Sequence, residues 1–323
     1  HTSSRRQRQM CIRDSYYTTI LEFAMISNDE AKFYHENGYL VVEDVYSQDE
    51  ISAMRSVLDE LIDKARGLDD HNNVYDLEPS HTPDNPRVRR IKEPYKVHPI
   101  FREMAQTPNI VSILTKLIGP DQRLHGGKIN IKAAEYGSPV EWHQDWAFYP
   151  HTNDDVLAIG VMLDDMTEEN GPLLIMPGSH KGPTYDHHAN GFFAGAIDPD
   201  TCPLDFSKAA RVTGKAGACS FHHVRAVHGS EQNLSGKDRV LLLYQAAAAD
   251  AWDLRRFNEP WEEYESRMIA GISTLEPRVV DTPIRLPYPP AKFDGSIYEN
   301  QRGMKSRYFA FDNKSAHDKE DAD

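Results

Sequence analysis

The chain has 323 residues, of which 39% are hydrophobic and 27% charged, the balance of a soluble globular protein with a sizeable core. Its formal net charge of −14 argues against nucleic acid or an anionic membrane as the main partner, and no stretch approaches the roughly 20 apolar residues that span a bilayer. The three cysteines, Cys11, Cys202 and Cys219, have no paired spacing, which favours a reducing cytoplasm over a disulfide framework or a structural zinc site.

The first 24 residues are expected to lie outside the folded domain. They are basic and polar, and they lack the apolar region and the small-residue cleavage site of a signal peptide. We interpret residues 1–24 as a non-native or disordered segment and expect the domain to begin at Met25. Ser27 and Glu30 then form the S-x-x-E pattern of a capping box, which predicts the start of a helix.

Residues 25–120 are predicted to be mainly helical. Residues 48–66 place apolar side chains at three- and four-residue spacing, which is typical of an amphipathic helix. A second helix is predicted over residues 107–120, where a proline lies in the first turn and a Gly-Pro pair ends the pattern. The proline-rich residues 78–94 between them predict a loop that lies over a site.

Residues 121–250 contain many short apolar or alternating runs separated by turn residues. Such a pattern without intervening helices favours a barrel or a double-sheet jelly roll. Residues 251–310 follow as a C-terminal extension, and the charged residues 311–323 are expected to be disordered. We therefore predict a single domain over residues 25–310.

The segment "VEWHQDWAFYP" carries the first candidate functional residues. Side chains two apart on a β-strand point to the same face, so His143 and Asp145 would direct an imidazole and a carboxylate at one point. The same spacing also fits a buried histidine–aspartate hydrogen bond. Trp146, Phe148 and Tyr149 follow, as candidates for either a substrate cavity or the core.

The segment "FHHVRAVHGSEQN" offers His222, His223 and His228 as a further ligand. Two histidines and one carboxylate form the facial triad of non-haem Fe(II) oxygenases, which leaves three coordination positions open. His228 is favoured because a Gly-Ser turn follows it and Arg239 lies eleven residues on, in the next apolar run. Two antiparallel strands would bring this guanidinium beside the metal, where it would bind a co-substrate carboxylate, although a surface position for Arg239 stays open.

Four segments resemble the phytanoyl-CoA dioxygenase family of Fe(II)/2-oxoglutarate oxygenases: "FYHENGYLVVEDVYS", "WHQDWAFYP", "ENGPLLIMPGSHKG" and "FHHVRAVHGSEQNLSGKDR". The resemblance extends from about residue 28 to residue 250. It implies a mainly β core, a cupin-like double-stranded β-helix or jelly roll, with α-helices around it.

The resemblance also implies the residues of the site and the cofactors Fe(II), 2-oxoglutarate and O2. The implied iron ligands are His143, Asp145 and His228. The implied contacts to 2-oxoglutarate are Lys92, Asn130, Ser230 and Arg239. The expected reaction is hydroxylation of a substrate C–H bond with release of succinate and CO2, since relatives that halogenate lack the carboxylate ligand.

Two alternatives of other classes remain open on the sequence alone. A zinc hydrolase would use the same three ligands and an activated water, but it has no use for Arg239 and Ser230. A non-catalytic binding member of the family would need neither the triad nor the arginine. The expected substrate is a small or medium organic metabolite rather than a CoA ester, because the acidic chain offers no obvious basic patch for a CoA phosphate. Residues 87–90 are the exception that leaves a CoA ester open.

Overall fold

The computed structural model describes residues 25–134, 137–255, 259–292 and 295–309. The expectations for residues 1–24 and 311–323 therefore lie outside the described residues. Within the described ranges, no helix has the length and apolar character required to cross a membrane.

The described residues form fourteen β-strands. In chain order they are β1 (Tyr39–Val42), β2 (Tyr75–Leu77), β3 (Val88–Lys92), β4 (Gln122–Lys132), β5 (Val140–His143), β6 (Val156–Met162), β7 (Leu173–Ile175), β8 (His188–Ala189), β9 (Phe192–Phe193), β10 (Ala210–Val212), β11 (Cys219–His223), β12 (His228–Ser230), β13 (Arg239–Ala248) and β14 (Met268–Ala270).

These strands build two main antiparallel sheets. The large sheet has the order β1-β11-β6-β13-β4-β3-β2, and β14 also pairs with β4. The small sheet has the order β10-β7-β12-β5, and β8 pairs with β9 as a separate ribbon. Several neighbouring strands, such as β1 and β11 or β4 and β13, are far apart in sequence, so residues from distant segments come together between the sheets.

The described residues also form seven α-helices. They are α1 (Asn28–Asn37), α2 (Gln48–Lys64), α3 (Pro94–Val97), α4 (Pro99–Met104), α5 (Pro108–Ile118), α6 (Trp261–Ser266) and α7 (Ile297–Asn300). Ser27 and Ser47 cap α1 and α2, each in a capping box with a glutamate three residues on. The sequence prediction of α1, α2 and α5 is confirmed.

The central strands of the large sheet face two different cores. On β13, Val240 and Leu242 belong to the core between this sheet and the helices, whereas Leu241 belongs to the core shared with the small sheet. On β4, Ile129 and Ile131 pack on the helix side. The residues that alternate with them point into the space between the sheets, as the two-residue period of a strand requires.

The first 120 residues are less purely helical than the sequence predicts. Strands β1, β2 and β3 all join the large sheet. The predicted loop over residues 78–94 is wrong for Val88–Lys92, which pairs with β4 and buries Ile91 completely. Backbone pairing with an available strand edge outweighs a proline-rich composition that favours loops.

The C-terminal extension packs against β5 of the small sheet. The backbone N–H of Glu141 donates to the Gln301 side chain at 3.1 Å, and the Glu141 carboxylate accepts from the Tyr308 N–H at 2.9 Å. The Phe309 ring lies 5.5 Å from the Trp142 ring. These contacts hold the residues that follow α7 against β5, the strand that ends at His143.

Candidate metal centre and adjoining cavities

Two adjacent strands of the small sheet and one turn bring the candidate ligands together. His143 ends β5, His228 begins β12, and the two residues are direct partners in the antiparallel ladder. Asp145 begins the 3-10 turn Asp145–Ala147, and the extended backbone of Gln144 (φ −118°, ψ 128°) keeps it on the side of His143. The ligand atoms of His143, Asp145 and His228 all lie within 4.8 Å of one another.

Backbone carbonyls fix the orientation of both imidazoles. The Nδ1–H of His143 donates to the Glu141 carbonyl at 2.8 Å, and that of His228 donates to the Ala226 carbonyl at 2.9 Å. Each ring therefore presents its Nε2 lone pair, and Nε2 of His143 lies 3.9 Å from Oδ1 of Asp145. Metal-binding histidines are commonly held by their other ring nitrogen in this way.

The protonation states of the three groups suit a metal ion. Burial and the adjacent His228 lower the pKa of His143 well below its usual value, and burial also lowers the pKa of His228. Burial raises the pKa of Asp145, but the surrounding histidines and Lys128 outweigh it and bring the value to about 2. Two neutral imidazoles and one carboxylate are the donor set expected for Fe(II).

His222 and His223, the other candidates for the third ligand, have different surroundings. The His222 ring centroid lies 4.5 Å from that of His228, and its Nε2 lies 3.9 Å from Asp145. His223 faces away, because its Nδ1 accepts from the Arg225 N–H at 3.1 Å. His222 therefore borders the triad. The sequence separation of His222 and His228 does not predict this closeness.

A small pocket contains both the triad and Arg239. Arg239 is 3% exposed, and its guanidinium donates to the backbone carbonyls of Asn170 and Gly171. Burial lowers its pKa to about 10, so the side chain stays charged at neutral pH. Asn130 and Ser230, two other predicted contacts of 2-oxoglutarate, line the same pocket.

Three alternate residues of β4 line this pocket from the large sheet: Lys128, Asn130 and Lys132. Nζ of Lys132 donates to Oγ of Ser230 at 2.8 Å and to the Glu231 carbonyl. Oδ1 of Asn130 is buried with no hydrogen-bond partner among the described residues. Sequence reasoning missed both lysines, although the alternation in "KINIK" was sufficient to place them beside Asn130.

Lys92 lies outside the small pocket. It is on β3 opposite Lys128 of β4, and its Nζ contacts Oδ1 of Asp76 at 2.9 Å. It lines a neighbouring large cavity instead. A contact between Lys92 and 2-oxoglutarate therefore stays a prediction.

The large cavity has a volume of about 810 Å³ and adjoins the small pocket. The residues that line both are Lys128, Asp145, Gln245 and Ile297. Phe148 and Tyr149 also line the large cavity, whereas Trp146 is fully buried and its Nε1–H donates to the Pro283 carbonyl. Two of the three aromatic residues that follow the His143 and Asp145 segment thus face a cavity in which a substrate can bind.

Residues 34–241 match the family model of phytanoyl-CoA dioxygenase (PhyH), and this region contains the triad and Arg239. The chain belongs to this family. As a phytanoyl-CoA dioxygenase family member, it is an Fe(II)/2-oxoglutarate-dependent dioxygenase, which confirms the predicted enzyme class and cofactors.

Individual relatives agree with this assignment. A Stutzerimonas stutzeri protein named as a probable alpha-ketoglutarate-dependent hypophosphite dioxygenase is 37% identical over 285 residues, which is 87% of this chain and 99% of that protein. Ectoine dioxygenase from Bordetella parapertussis is 28% identical over 240 residues, 68% and 76% of the two chains. The iron-bound crystal structure of EctD from S. alaskensis superposes with a TM-score of 0.62 at 22% identity, over 81% and 88% of the chains. The predicted jelly-roll fold is confirmed.

Proposed function

We propose that His143, Asp145 and His228 hold Fe(II) and that the enzyme hydroxylates a C–H bond of a small or medium organic metabolite. The observation that carries the proposal is the convergence of three ligand atoms within 4.8 Å in the pocket that also contains buried Arg239. Bound iron supplies the redox chemistry that couples the oxidation of 2-oxoglutarate by O2, to succinate and CO2, with oxidation of the substrate.

The chain's own residues bind and orient the co-substrate. Arg239 presents a planar guanidinium that pairs with the distal carboxylate of 2-oxoglutarate, and Ser230 donates a hydrogen bond to the same end. Lys132, held against Ser230 at 2.8 Å, adds a further polar group at that end of the pocket. Apolar side chains of Leu241 and Leu243 form another wall of the pocket and limit the access of water.

A second candidate function is oxidation at phosphorus in a small oxyanion, the reaction named for the relative from S. stutzeri. The observation in its favour is the set of lysines and arginines that line the large cavity. The volume of about 810 Å³ favours the organic metabolite, because so small an oxyanion would leave most of the cavity filled with solvent.

Succinate release decides between these functions. Purified protein with Fe(II) and 2-oxoglutarate is expected to form succinate slowly, and faster with its substrate from a panel of organic metabolites that also includes hypophosphite. Stimulation by hypophosphite alone would favour the second function.

The ligand assignment has its own test in two variants. His143→Ala and Asp145→Ala are expected to lose bound iron after desalting and to lose succinate formation, because two donors hold Fe(II) too weakly. His35→Ala is the matched control, since His35 is an exposed histidine of α1. Full iron content and activity in either ligand variant would overturn the assignment.

A further inference from the structure

The large cavity is positively charged although the whole chain carries a net charge of −14. Six of its lining residues are basic: Arg90, Lys92, Arg123, Lys128, Arg255 and Arg267. Four are acidic: Glu93, Asp145, Asp253 and Glu259. Since Asp145 is committed to the metal centre, the remaining lining has a clear excess of positive charge.

Most of these cations already have a carboxylate partner. Arg90 and Lys92 both contact Asp76, Arg255 contacts Asp253, and Arg267 contacts Glu259. Lys128 and Arg123 differ, because no carboxylate lies within ion-pair distance of either one in the part of the chain that the structure describes. A cation that faces a cavity with no carboxylate in ion-pair contact is available to an anionic ligand.

Lys128 is the better placed of the two for a substrate. It lines both the small pocket and the large cavity, so its ammonium lies where a molecule in the cavity approaches Asp145. Arg123 lies five residues earlier on β4, is 2% exposed, and donates to the Ala251 carbonyl. Its Nε has no hydrogen-bond partner among the described residues.

The cavity wall also holds a second cluster of metal-ligand types, His125, His151 and Asp253, whose ligand atoms lie within 4.8 Å of one another. Nε2 of His151 is buried without a partner among the described residues. However, Asp253 is already paired with Arg255 at 2.7 Å, and Arg123 lines the same part of the cavity. A divalent cation would add to this positive charge, whereas an anion would neutralise it.

We propose that the substrate carries an anionic oxygen group, a carboxylate or a phosphorus oxyanion, and that Lys128 pairs with this group while the rest of the molecule occupies the large cavity. The inference rests on the proposed function, because it names the substrate class of the same site. It makes Lys128 a specificity-determining residue, and it accounts for a lysine that faces the cavity with no carboxylate within ion-pair distance among the described residues.

The test compares matched compounds in the protein loaded with Fe(II) and 2-oxoglutarate. The panel pairs each carboxylic or phosphonic acid with its neutral amide or ester, and it includes hypophosphite. Melting temperature without O2 reports binding, and succinate release with O2 reports turnover. We expect only anionic members to raise the melting temperature and stimulate succinate release.

Substitutions at Lys128 give the second arm of the test. Lys128→Met is expected to weaken the apparent affinity for the anionic member about 10- to 100-fold, the range for loss of one charge-assisted hydrogen bond. Lys128→Arg is expected to retain part of that affinity, and the KM for 2-oxoglutarate is expected to stay at the wild-type value. Lys208→Met, at a surface lysine with 76% of its side chain exposed, is the control.

Three results would overturn the inference. The first is an equal response to the acids and to their neutral partners, and the second is that no anionic member binds. The third is a Lys128→Met protein in which the KM for 2-oxoglutarate changes and the KM for the substrate does not. Lys128-dependent binding of anions without any succinate would keep the inference and overturn the proposed function. Succinate formed equally well from neutral members would overturn the inference and keep the proposed function.

Discussion

Two buried basic side chains lie within one small pocket beside the candidate metal centre. Arg239 is 3% exposed and Lys132 is 4% exposed, and neither has a carboxylate partner within ion-pair distance among the described residues. Burial lowers the pKa of both side chains, and the charge of Arg239 lowers the pKa of Lys132 further. Burying charge in this way is unfavourable unless an anion binds there. In the proposed function, the dicarboxylate co-substrate supplies that anion.

Arg239→Ala is expected to raise the KM for 2-oxoglutarate at least about 30-fold, because loss of one partner of a buried charge pair costs about 2–5 kcal/mol. Bound iron should remain, since Arg239 contacts none of the three ligands. Arg239→Lys should recover only part of the affinity, because an ammonium lacks the planar fork. Steady-state kinetics and iron content measure these effects.

Arg285→Ala is the control for this prediction, since Arg285 is a half-exposed arginine paired with Asp186 on the surface. The melting temperature of Arg239→Ala should also be measured, because its guanidinium holds the backbone of Asn170 and Gly171. An unchanged KM for 2-oxoglutarate in a folded Arg239→Ala protein would refute the pairing.

At the scale of single elements, the short helix α7 completes the site from outside the region matched by the family model. Ile297 and Tyr298 line the small pocket, whereas the family match ends at residue 241. The helix is fixed by an ion pair between Arg89 and Glu299 at 2.6 Å, with 12% and 14% of the side chains exposed. Ser296 caps the helix in a capping box with the same glutamate.

The Arg89–Glu299 pair makes the anchoring of α7 dependent on pH. Burial raises the pKa of Glu299, but hydrogen bonds from Ser296 and the charge of Arg89 outweigh it and lower the value from 4.5 to about 2. Because the folded-state pKa is lowered, the ionised carboxylate stabilises the fold above about pH 4.5, and this contribution is lost as the pH falls towards 2.

Glu299→Gln is expected to be less stable than the wild type near neutral pH, with a difference in unfolding free energy that shrinks as the pH falls from about 4.5 towards 2. Denaturant unfolding at several pH values measures this difference. Glu263→Gln serves as the control, since Glu263 pairs with Lys96 on the surface with 43% of its side chain exposed. A difference that stays constant across this range would show that the charge of Glu299 is not responsible.

At the scale of the whole molecule, the large sheet separates a structural face from a functional face. Its helix side carries the larger apolar core, and its other side carries both the smaller core and the small pocket. Leu242 and Leu241 are neighbours on β13 and point to opposite faces. They offer a direct test of this division.

Leu242→Ala is expected to lower the unfolding free energy by about 2–5 kcal/mol, because Leu242 is fully buried and its loss leaves a cavity. The KM for 2-oxoglutarate should not change below the melting temperature. Leu241→Ala should lower stability and also change that KM, since Leu241 lines the small pocket. Chemical denaturation measures the unfolding free energy of both variants, and steady-state kinetics measure their KM for 2-oxoglutarate. If both substitutions changed this KM equally, the division into two faces would be contradicted.

Features that depend on local spacing are predictable from the amino-acid sequence alone. Capping boxes at Ser27 and Ser47 and apolar spacing over residues 48–66 depend on neighbours within one or two turns, so they are visible in the chain. The H-x-D spacing also placed His143 and Asp145 on one side, because the extended backbone continues through Gln144. The short apolar runs of residues 121–250 favoured a barrel or a jelly roll, and the family resemblance selected the jelly roll.

Which distant residues share a site depends on the three-dimensional packing of the sheets. Strand β3 forms where composition favours a loop, because β4 offers a partner edge and burial of Ile91 stabilises the pairing. Lys132 meets Ser230 because β4 of the large sheet lies across from β12 of the small sheet. Tyr298 reaches the pocket from a helix far beyond the family match. Such contacts depend on sheet order and the packing of one sheet on the other, which local patterns do not encode.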